Sequence, residues 1–384
     1  MSYHINTRCV NTNHKDALKA SIPPLYLSST FKAQSLDDPG EYDYTRSGNP
    51  TRTSLQNHLE RIIGCKHVLA VNSGMSCLDI VVQQIAPGSE LIAGEDLYGG
   101  SHRLLQFIKN KRNVDVKHYD TTNTALMLSK ITAKTKMVLL ESPTNPLINI
   151  VDVKTIADHA HKVNPDCLVV FDNTMMTPLL MSPLELGVDI QYESATKFLN
   201  GHHDIMAGIL ATNSEKIFKD LYFVINSIGS GLAPFDSWLL IRGLKTLSIR
   251  VERQQKNAQM IAEFLEAKGL KVRYPGLKGY KNAELHFKQC RGAGAVLSFE
   301  TGDLPFSEAI VNNTKLLSTT VSFGAVNSLI SLPCKMSHAS IDKKTREERE
   351  FPEDLVRICV GIEEGEDLLA DLEQAIRKAK GGKL

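Results

Sequence analysis

The middle of the chain alternates between two patterns of hydrophobic residues. From Glu60 to about Ala211, short runs rich in Val, Ile and Leu are separated by segments whose apolar residues recur at helical spacing. The runs predict strands at Val68 to Val71, Leu91 to Ala93, Val114 to His118, Met137 to Leu140, Leu168 to Phe171, Ile190 to Tyr192 and Gly208 to Ala211. The segments predict helices, most clearly at Ser76 to Ile85, Thr124 to Ile131 and Val153 to Val163. This alternation is typical of an α/β fold, in which helices cover both faces of a mostly parallel sheet.

The last third of the chain has a different pattern. Asp236 or Ser237 is the predicted N-cap of one long helical stretch, which the C-cap glycine Gly269 would end. Beyond it we predict strands at Val296 to Phe299, Thr319 to Ser322 and Leu355 to Val360, and a charged final helix from Glu366 to Lys378. We therefore predict an α/β domain over residues 51–235 and a smaller α+β domain over residues 236–384. Residues 1–50 are rich in Pro and Ser and weakly periodic, so we expect an arm laid over another surface.

Composition and charge exclude several kinds of partner. The 44 Lys and Arg residues balance the 43 Asp and Glu residues to a net charge of +1, so we expect no nucleic-acid partner. Hydrophobic residues make up 42% of the chain and charged residues 23%, as in an ordinary folded, water-soluble protein. No apolar run approaches the roughly 18 residues of a membrane span, and the first residues lack the apolar core of a signal peptide.

The cysteines and histidines give no sign of a metal site. The seven cysteines are scattered without a C-x-x-C pair, which predicts packed, reduced thiols and a cytoplasmic location. His202, His203 and Asp204 are adjacent and cannot converge on one ion without distorting the loop, so we interpret them as polar loop residues. The tripeptide Gly382-Lys383-Leu384 resembles the peroxisomal Ser-Lys-Leu address except for its Gly, so a peroxisomal location is weighed against a frayed basic tail.

Candidate chemistry lies instead at three predicted strand ends, since the common nucleotide, zinc-protease and serine-hydrolase motifs are missing. The segment from Asn72 to Met75 ends a strand and opens a helix, which offers free N–H groups to an anion. Asp172 ends a second strand, where it could pair with a cationic ligand group or cap a helix. Lys197 follows a third strand, where desolvation would let it attack a carbonyl, unless it is an ordinary surface lysine. Together they supply what pyridoxal 5′-phosphate (PLP) requires: a phosphate anchor, a partner for the pyridine nitrogen and an amine for the aldehyde.

Eight segments, in order from about Pro23 to Ile376, resemble the Cys/Met-metabolism (transsulfuration) family of PLP-dependent enzymes, which have fold type I. They are YTRSGNPT, NSGMSCLD, EDLYGGSHRLL, ESPTNP, FDNTMMTP, SATKFLNGHHD, GSGLAPFDSWLLIRGLKTL and FPEDLVRICVGIE. Within the family, VSFGAVNSLISLPCKMSHASI is most similar to the β-lyase branch.

The resemblance implies roles for the residues around the cofactor. Lys197 would hold PLP covalently as an internal aldimine and then move protons, and Asp172 would keep the pyridine nitrogen protonated. The backbone N–H groups of Gly74 and Met75 would bind the phosphate. Further cofactor contacts would come from Thr174, Ser194, Thr196, Asn145 and Tyr98.

The resemblance also implies how the substrate is bound. Tyr98 would stack on the ring and assist deprotonation of the substrate amine. Asn145 would lie beside the ring oxygen and the substrate. Arg357, an arginine inside an apolar strand, would bind the substrate α-carboxylate through a bidentate fork, and Ser322 would help to hold the same group.

The arm residues Tyr44 and Arg46 would reach the phosphate of a neighbouring subunit. The active site would then be shared across an interface, and the family implies a homotetramer built from two such dimers.

The β-lyase branch implies PLP-dependent β-elimination of L-cystathionine to homocysteine, pyruvate and ammonia in methionine biosynthesis, with cysteine S-conjugates as further substrates. Asn327 stands where γ-lyases typically carry a carboxylate, and Gly100 stands where methionine γ-lyases carry a cysteine. Both features favour β-elimination over the alternative, a γ-lyase or γ-synthase. A catalytically silent binding or assembly homologue is the remote alternative. His203 and Met175 depart from the family pattern outside the assigned cofactor contacts.

Overall fold

The computed structural model describes residues 3–14, 16–337, 339 and 351–381, so the C-terminal tripeptide lies outside the described residues. A seven-stranded sheet forms the first of two sheets. Its strands are β1 His67–Val71, β2 Glu90–Gly94, β3 Asp115–Tyr119, β4 Thr135–Glu141, β5 Leu168–Asp172, β6 Ile190–Glu193 and β7 Gly208–Thr212. The helices of this part of the chain are α1 Ile5–Val10, α2 Pro50–Ile63, α3 Gly74–Val82, α4 Gly99–Arg112, α5 Thr124–Lys130, α6 Val153–Val163, α7 Thr177–Leu180 and α8 Glu215–Ile228, with a 3₁₀ turn at Pro183–Leu186.

The strand order is β1-β7-β6-β5-β4-β2-β3, and only β7 runs antiparallel to its neighbours. The apolar runs form strands because successive side chains enter two different cores. Val68 and Ala70 of β1 pack into the core on one face, whereas Leu69 and Val71 pack into the core on the other. The predicted mostly parallel α/β fold is confirmed, and all seven predicted strands of this sheet are present. The carboxyl ends of the parallel strands meet at one edge, which is where such sheets bind ligands.

The second sheet has five strands in the order β10-β11-β12-β9-β8 and is mostly antiparallel. Its strands are β8 Lys271–Arg273, β9 Val296–Glu300, β10 Ser318–Thr319, β11 Leu329–Ser331 and β12 Val356–Cys359. The accompanying helices are α9 Pro234–Leu244, α10 Leu247–Ala267, α11 Ala283–Gln289, α12 Leu304–Asn313 and the C-terminal helix Gly365–Ala379, with a 3₁₀ turn at Pro333–Lys335. A third core, which includes Ile310, Leu368 and Leu372, lies between this sheet and its helices.

The single long helix predicted from Asp236 or Ser237 is wrong, because the stretch forms two helices. α9 begins at Pro234, whose fixed φ suits the first turn, and its N-cap is Ala233. It ends at Leu244. The preceding residue, Gly243, packs closely against the backbone of Asn200, because a Cβ there would lie 2.5 Å from the carbonyl oxygen of Asn200. α10 then ends at Ala267, and Gly269 follows with a φ of +81°, the left-handed conformation expected of a helix-ending glycine.

Two short strands of the second sheet, β8 and β11, escaped the sequence analysis because they have only three residues each. The strand predicted from Thr319 to Ser322 ends at Thr319, and Ser322 has a left-handed φ of +89° that a strand cannot contain.

The N-terminal segment divides into two parts. α1 packs onto α2 of its own chain and buries Cys9. Between the two helices the described residues form no further helix or strand. Thr30 and Tyr44 form a bridge, and large side chains such as Leu18, Leu27 and Leu36 are exposed. An exposed apolar arm of this kind suits a further surface, so its placement on a neighbouring subunit stays a prediction.

Three global features bear on function. No helix among the described residues is long and apolar enough to cross a membrane. The seven cysteines are free, and all except Cys65 are buried. In the described ranges, no group of three or more His, Cys, Asp or Glu side chains is placed to hold a metal ion.

Candidate active site

Lys197 lies in a tight turn directly after β6. Its N–H donates to the carbonyl of Ser194 (3.0 Å), and its own carbonyl accepts from the N–H of Gly201 (2.8 Å). The side chain enters the protein, where Nζ donates to the hydroxyl of Ser322 (2.5 Å). Burial, assisted by the nearby charge of Arg357, lowers the pKa of Lys197 from 10.5 to about 8. A neutral amine is therefore accessible near physiological pH, as nucleophilic attack on a carbonyl requires.

Asp172 ends β5, the neighbouring strand. Its Oδ1 accepts from the N–H of Thr174 (2.9 Å) and from the Thr174 hydroxyl (2.5 Å). The same hydroxyl oxygen accepts from the N–H of Ser194 (2.9 Å), so Thr174 ties Asp172 to the turn that carries Lys197. Burial raises the pKa of Asp172, and the hydrogen bonds from Thr174 oppose this rise. Such a carboxylate can accept a hydrogen bond from a protonated ring nitrogen. The positive charge of that nitrogen would offset the cost of burying the carboxylate.

Gly74 and Met75 form the first turn of α3, directly after β1. Ser73 caps this helix: its hydroxyl oxygen accepts a hydrogen bond from the N–H of Ser76 (3.0 Å). The N–H groups of Gly74 and Met75 have no intrahelical partner, because they belong to the first turn of the helix. A Cβ on Gly74 would lie 2.8 Å from Cβ of Ser194, so only glycine allows the helix end and the Ser194 turn to approach this closely. The backbone thus forms a cradle with donors suited to an anion. The hydroxyl of Thr196, by contrast, is engaged by the backbone N–H (2.9 Å) and carbonyl (3.3 Å) of Ala207.

Arg357 comes from the centre of β12, in the other sheet, and is 3% exposed. Its Nη1 donates to Oδ1 of Asn145 (3.1 Å) and its Nη2 to the carbonyl of Ser322 (2.7 Å). Its Nε has no hydrogen-bond partner among the described residues. Burial lowers the pKa of Arg357. A buried guanidinium with an unpaired N–H and no carboxylate partner among the described residues costs stability, so Arg357 is suited to bind an anionic ligand.

Lys197 from the first sheet and Arg357 from the second approach each other over the ring of Phe323. Nζ of Lys197 lies 5.4 Å from the ring centroid and the guanidinium carbon of Arg357 lies 5.6 Å from it. Asn145, Ser322, Lys197 and Arg357 therefore line one small region between the two sheets.

Tyr98 stands at the N-cap of α4, after β2, and is 44% exposed. Its ring lies against Gly100, where a Cβ would come within 2.4 Å of the ring and 3.2 Å of Sδ of Met75. Gly100 thus lets Tyr98 lie next to the cradle at Met75, a position that a side chain at residue 100 would disturb.

Tyr44 and Arg46 are not brought to Lys197 by their own chain. Within the described residues, Nε of Arg46 donates to Asn226 of α8 (3.4 Å), and its guanidinium lies 5.2 Å from the centroid of the Tyr44 ring. Both side chains remain on the surface arm, so their predicted contact with a partner's phosphate stays a prediction.

Sequence reasoning missed Glu141 and Tyr192, which flank Asp172. The strand register pairs Glu141 of β4 and Tyr192 of β6 with Asp172 of β5, so all three project from the same face. Burial raises the pKa of Glu141 and of Tyr192 well above their usual values, and the Tyr192 hydroxyl is within hydrogen-bonding reach of Asp172. The signal that could have found them is their position, since each is at or next to the last residue of a buried strand beside Asp172.

A desolvated lysine, a strand-end carboxylate and a glycine-lined helix N-terminus at one edge of a mostly parallel sheet define a PLP-dependent enzyme of fold type I. The cradle at Gly74, the Asp172 carboxylate and the Lys197 amine fit the phosphate, the ring nitrogen and the aldehyde of that cofactor.

Comparisons with known proteins agree with this class. The family described as Cys/Met metabolism PLP-dependent enzymes matches residues 6–377. A cystathionine beta-lyase of Neurospora crassa is 56% identical over 377 residues, which cover 98% of this chain and 82% of that protein. A cystathionine beta-lyase of Schizosaccharomyces pombe is 48% identical over 379 residues, which cover 98% of this chain and 97% of that protein. The crystal structure of a cystathionine gamma synthase from Xanthomonas oryzae pv. oryzae, in complex with aminoacrylate and cysteine, has a TM-score of 0.95 at 34% identity and full coverage of both chains (100%).

The chain belongs to the Cys/Met-metabolism family of PLP-dependent enzymes. The fold type, the family and the PLP cofactor that the sequence predicts are therefore confirmed.

Proposed function

We propose that the protein catalyses PLP-dependent β-elimination of L-cystathionine, which yields homocysteine, pyruvate and ammonia for methionine biosynthesis. The observation that carries this function is its likeness to curated cystathionine beta-lyases, at 56% and 48% identity over 98% of the chain. The likeness to a solved γ-synthase, at 34% identity, is considerably lower. The protein is thus a carbon–sulfur lyase.

The residues around Lys197 would hold the cofactor. The N–H groups of Gly74 and Met75 would donate to its phosphate, with the hydroxyl of Ser194 beside them. The Thr196 hydroxyl would join them by turning its proton from the carbonyl of Ala207 to the phosphate. Asp172 would accept from the pyridine nitrogen and Lys197 would bind the aldehyde carbon. When bound, the cofactor supplies an electron sink that makes the Cα proton of an amino acid acidic.

Lys197 would then act as the base that removes this proton. Its pKa of about 8 provides the neutral amine, and Ser322 orients Nζ by accepting a hydrogen bond from it. Tyr98, at the rim, would assist deprotonation of the substrate amine as that amine enters the site. Both groups belong to segments that border the cradle at Gly74 and Met75, beside which the substrate would lie.

Arg357 would bind the substrate α-carboxylate. Its Nε is without a partner among the described residues, and its fork is held in place by Asn145 and by the Ser322 carbonyl. The carboxylate would satisfy the guanidinium and offset the cost of its burial.

The rival activity is γ-elimination or γ-replacement by the same kind of site. Asn327, which replaces the acidic residue typical of γ-lyases, and Gly100 beside Tyr98 support the β-reaction. Incubation of the purified protein with L-cystathionine distinguishes the two. We expect homocysteine and pyruvate, whereas cysteine and 2-oxobutyrate would contradict the proposal. A colourless protein without bound cofactor would instead indicate a catalytically silent homologue.

We propose that the active enzyme is a homotetramer in which Tyr44 and Arg46 complete the phosphate site of a neighbouring subunit. The exposed apolar arm supports this assembly. Mixing two inactive variants, Arg46→Ala and Lys197→Ala, should restore activity, because a hybrid dimer contains one intact site. No recovery after subunit exchange would contradict the shared site.

We propose a cytoplasmic location, which the free cysteines support. Imaging of a tagged protein with and without Gly382-Lys383-Leu384 tests the peroxisomal alternative, because only a peroxisomal address would make the location depend on that tripeptide.

A further inference from the structure

One buried face of α10 carries three side chains that donate hydrogen bonds away from the helix. Arg250, Gln254 and Asn257 occupy positions i, i+4 and i+7 and therefore share a face. They are 3%, 0% and 1% exposed. We call these three residues the donor stripe. Polar groups at such depth cost stability unless they are paired, so their partners indicate their purpose.

Each member of the donor stripe contacts a different loop. The lysine loop, residues 198–201, follows Lys197; the serine loop, residues 323–326, follows Ser322; and the arginine loop, residues 360–363, follows the strand of Arg357. The bonds are Arg250 Nη1 to Phe198 O (2.8 Å), Arg250 Nη2 to Leu199 O (3.3 Å), Gln254 Nε2 to Ala325 O (2.8 Å), and Asn257 Nδ2 to Gly361 O (3.2 Å) and Glu363 O (2.8 Å).

The three loops are also bonded to one another. The N–H of Val326 donates to the carbonyl of Gly201 (2.9 Å), and the N–H of Ile362 donates to the carbonyl of Val326 (2.8 Å). Gly324 has a φ of +85°, and a Cβ there would lie 2.6 Å from the backbone nitrogen of Phe198. The loops therefore form one closely packed layer, in which a shift of one loop displaces the next.

Arg250 shows that this arrangement is more than packing. Its other partners are the carbonyl of Gly243 (2.9 Å) and the hydroxyl of Thr246 (3.1 Å), so every hydrogen-bond partner of Arg250 in the described part of the chain is an uncharged oxygen. Burial lowers the pKa of Arg250 to about 10. A buried cation without a carboxylate is expensive, and here its fork fixes the two carbonyls that follow Lys197.

We propose that the donor stripe positions Lys197, Ser322 and Arg357 relative to one another. From Arg250 to Asn257 a helix rises about 10 Å, which lets one rigid element reach all three loops. Proton transfer at Lys197 and carboxylate binding at Arg357 are then held in one geometry, as a small misplacement of reacting groups would slow the reaction. The three residues act through others and are positioning residues. The inference rests on the proposed roles of Lys197 and Arg357.

The test compares Asn257→Leu and Gln254→Met with a control on the same helix. Gln259 donates through Nε2 to the carbonyl of Gly276 (3.1 Å) and to Oε1 of Glu263 (2.7 Å), both outside the three loops, so Gln259→Met removes side-chain hydrogen bonds of the same helix away from the layer. The cofactor-loaded enzymes are titrated with L-alanine, which has an α-carboxylate and no β-leaving group, and binding is followed by visible absorbance. Steady-state kinetics with cystathionine and thermal midpoints complete the set.

We expect Asn257→Leu to weaken the binding of L-alanine about tenfold, the usual effect of losing a buried hydrogen bond. We expect Gln254→Met to lower kcat about tenfold. Gln259→Met should change neither value. Asn257→Asp, which keeps the shape and replaces donors by acceptors, should weaken L-alanine at least as much and serves if the leucine variant does not fold.

Stripe variants that lower the thermal midpoint but leave kcat, KM and L-alanine affinity unchanged would overturn the positioning role. Arg357→Ala separates this outcome from a failure of the proposed function. If Arg357→Ala loses L-alanine and the stripe variants do not, the inference is wrong. If Arg357→Ala itself binds L-alanine normally, the proposed role of Arg357 is wrong.

Discussion

Two regions of the active site are built in different ways. The cofactor side, which we define as Gly74, Met75, Asp172, Ser194 and Lys197, comes from the carboxyl ends of three strands of one sheet, β1, β5 and β6. The substrate side, which we define as Asn145, Ser322 and Arg357, joins two sheets, and its Arg357–Asn145 bond spans 212 residues of sequence. Neighbours on the cofactor side follow from the rule that parallel strands end at one edge. Neighbours on the substrate side depend on how the two sheets pack.

This contrast suggests different consequences of mutation. Changes on the cofactor side should alter the bound cofactor and its reactivity. A change of Arg357 on the substrate side should leave the cofactor in place and alter substrate affinity.

The largest effect on the cofactor side should come from Lys197→Ala. Removing the proposed base should lower kcat/KM with cystathionine about 10⁴-fold, the upper range for a positioned acid–base group. Borohydride treatment followed by mass spectrometry should detect no covalent cofactor in the variant, although the parent is labelled. A labelled peptide that excludes residue 197 in the parent would contradict the assignment.

The next largest effect should come from Asp172→Asn. An amide cannot stabilise a protonated ring nitrogen, so we expect kcat to fall about 10²–10³-fold, as for loss of one strong electrostatic contact in an active site. Glu193→Gln is the matched control. Burial raises the pKa of Glu193 to about 8, and its side chain accepts from Gln191 and Asn173, so a neutral glutamine should preserve activity near pH 7. Equal losses in both variants would indicate a general defect of the sheet edge.

A smaller effect is expected from Gly74→Ala. The added methyl group would meet Cβ of Ser194 at 2.8 Å and push the helix end away from the cradle. The cofactor dissociation constant, measured by fluorescence titration of the cofactor-free protein, should rise about tenfold. Gly88→Ala is a comparison with open space around its Cβ, although its φ of +84° makes it strained. An unchanged cofactor affinity in Gly74→Ala would show that the cradle is not the phosphate site.

The smallest effect concerns the charge of Lys197 in the cofactor-free protein. Its folded pKa of about 8 lies below the unfolded 10.5, so between these pH values the unfolded chain binds more protons and stability rises with pH. Lys197→Met removes the buried ammonium and should stabilise the protein by about 1–3 kcal/mol at pH 7. Urea unfolding from pH 7 to 10.5 should show this gain shrinking, whereas a constant gain would point to packing alone.

The same contrast explains what could be predicted from the sequence. Strands β1, β2, β4, β5 and β7 were predictable because they are apolar on both faces. Asp172 and Lys197 were found because each lies at or just after the end of a buried strand. Arg357 was found because a charge interrupts an apolar run. The short strands β8 and β11 were missed, and so was the left-handed backbone conformation of Ser322, because long-range packing determines all three. The roles of the arm residues depend on a neighbouring subunit and stay predictions.

The division between the two regions is tested most directly by comparing Arg357→Ala with Asp172→Asn in one assay. Visible absorbance reports the bound cofactor, and initial rates give the KM for cystathionine. We predict that Arg357→Ala keeps the absorbance of the parent while its KM rises by about two orders of magnitude, the cost of losing a charged bidentate contact. Asp172→Asn should alter the absorbance while its KM changes little. Loss of colour in Arg357→Ala with an unchanged KM would contradict the account.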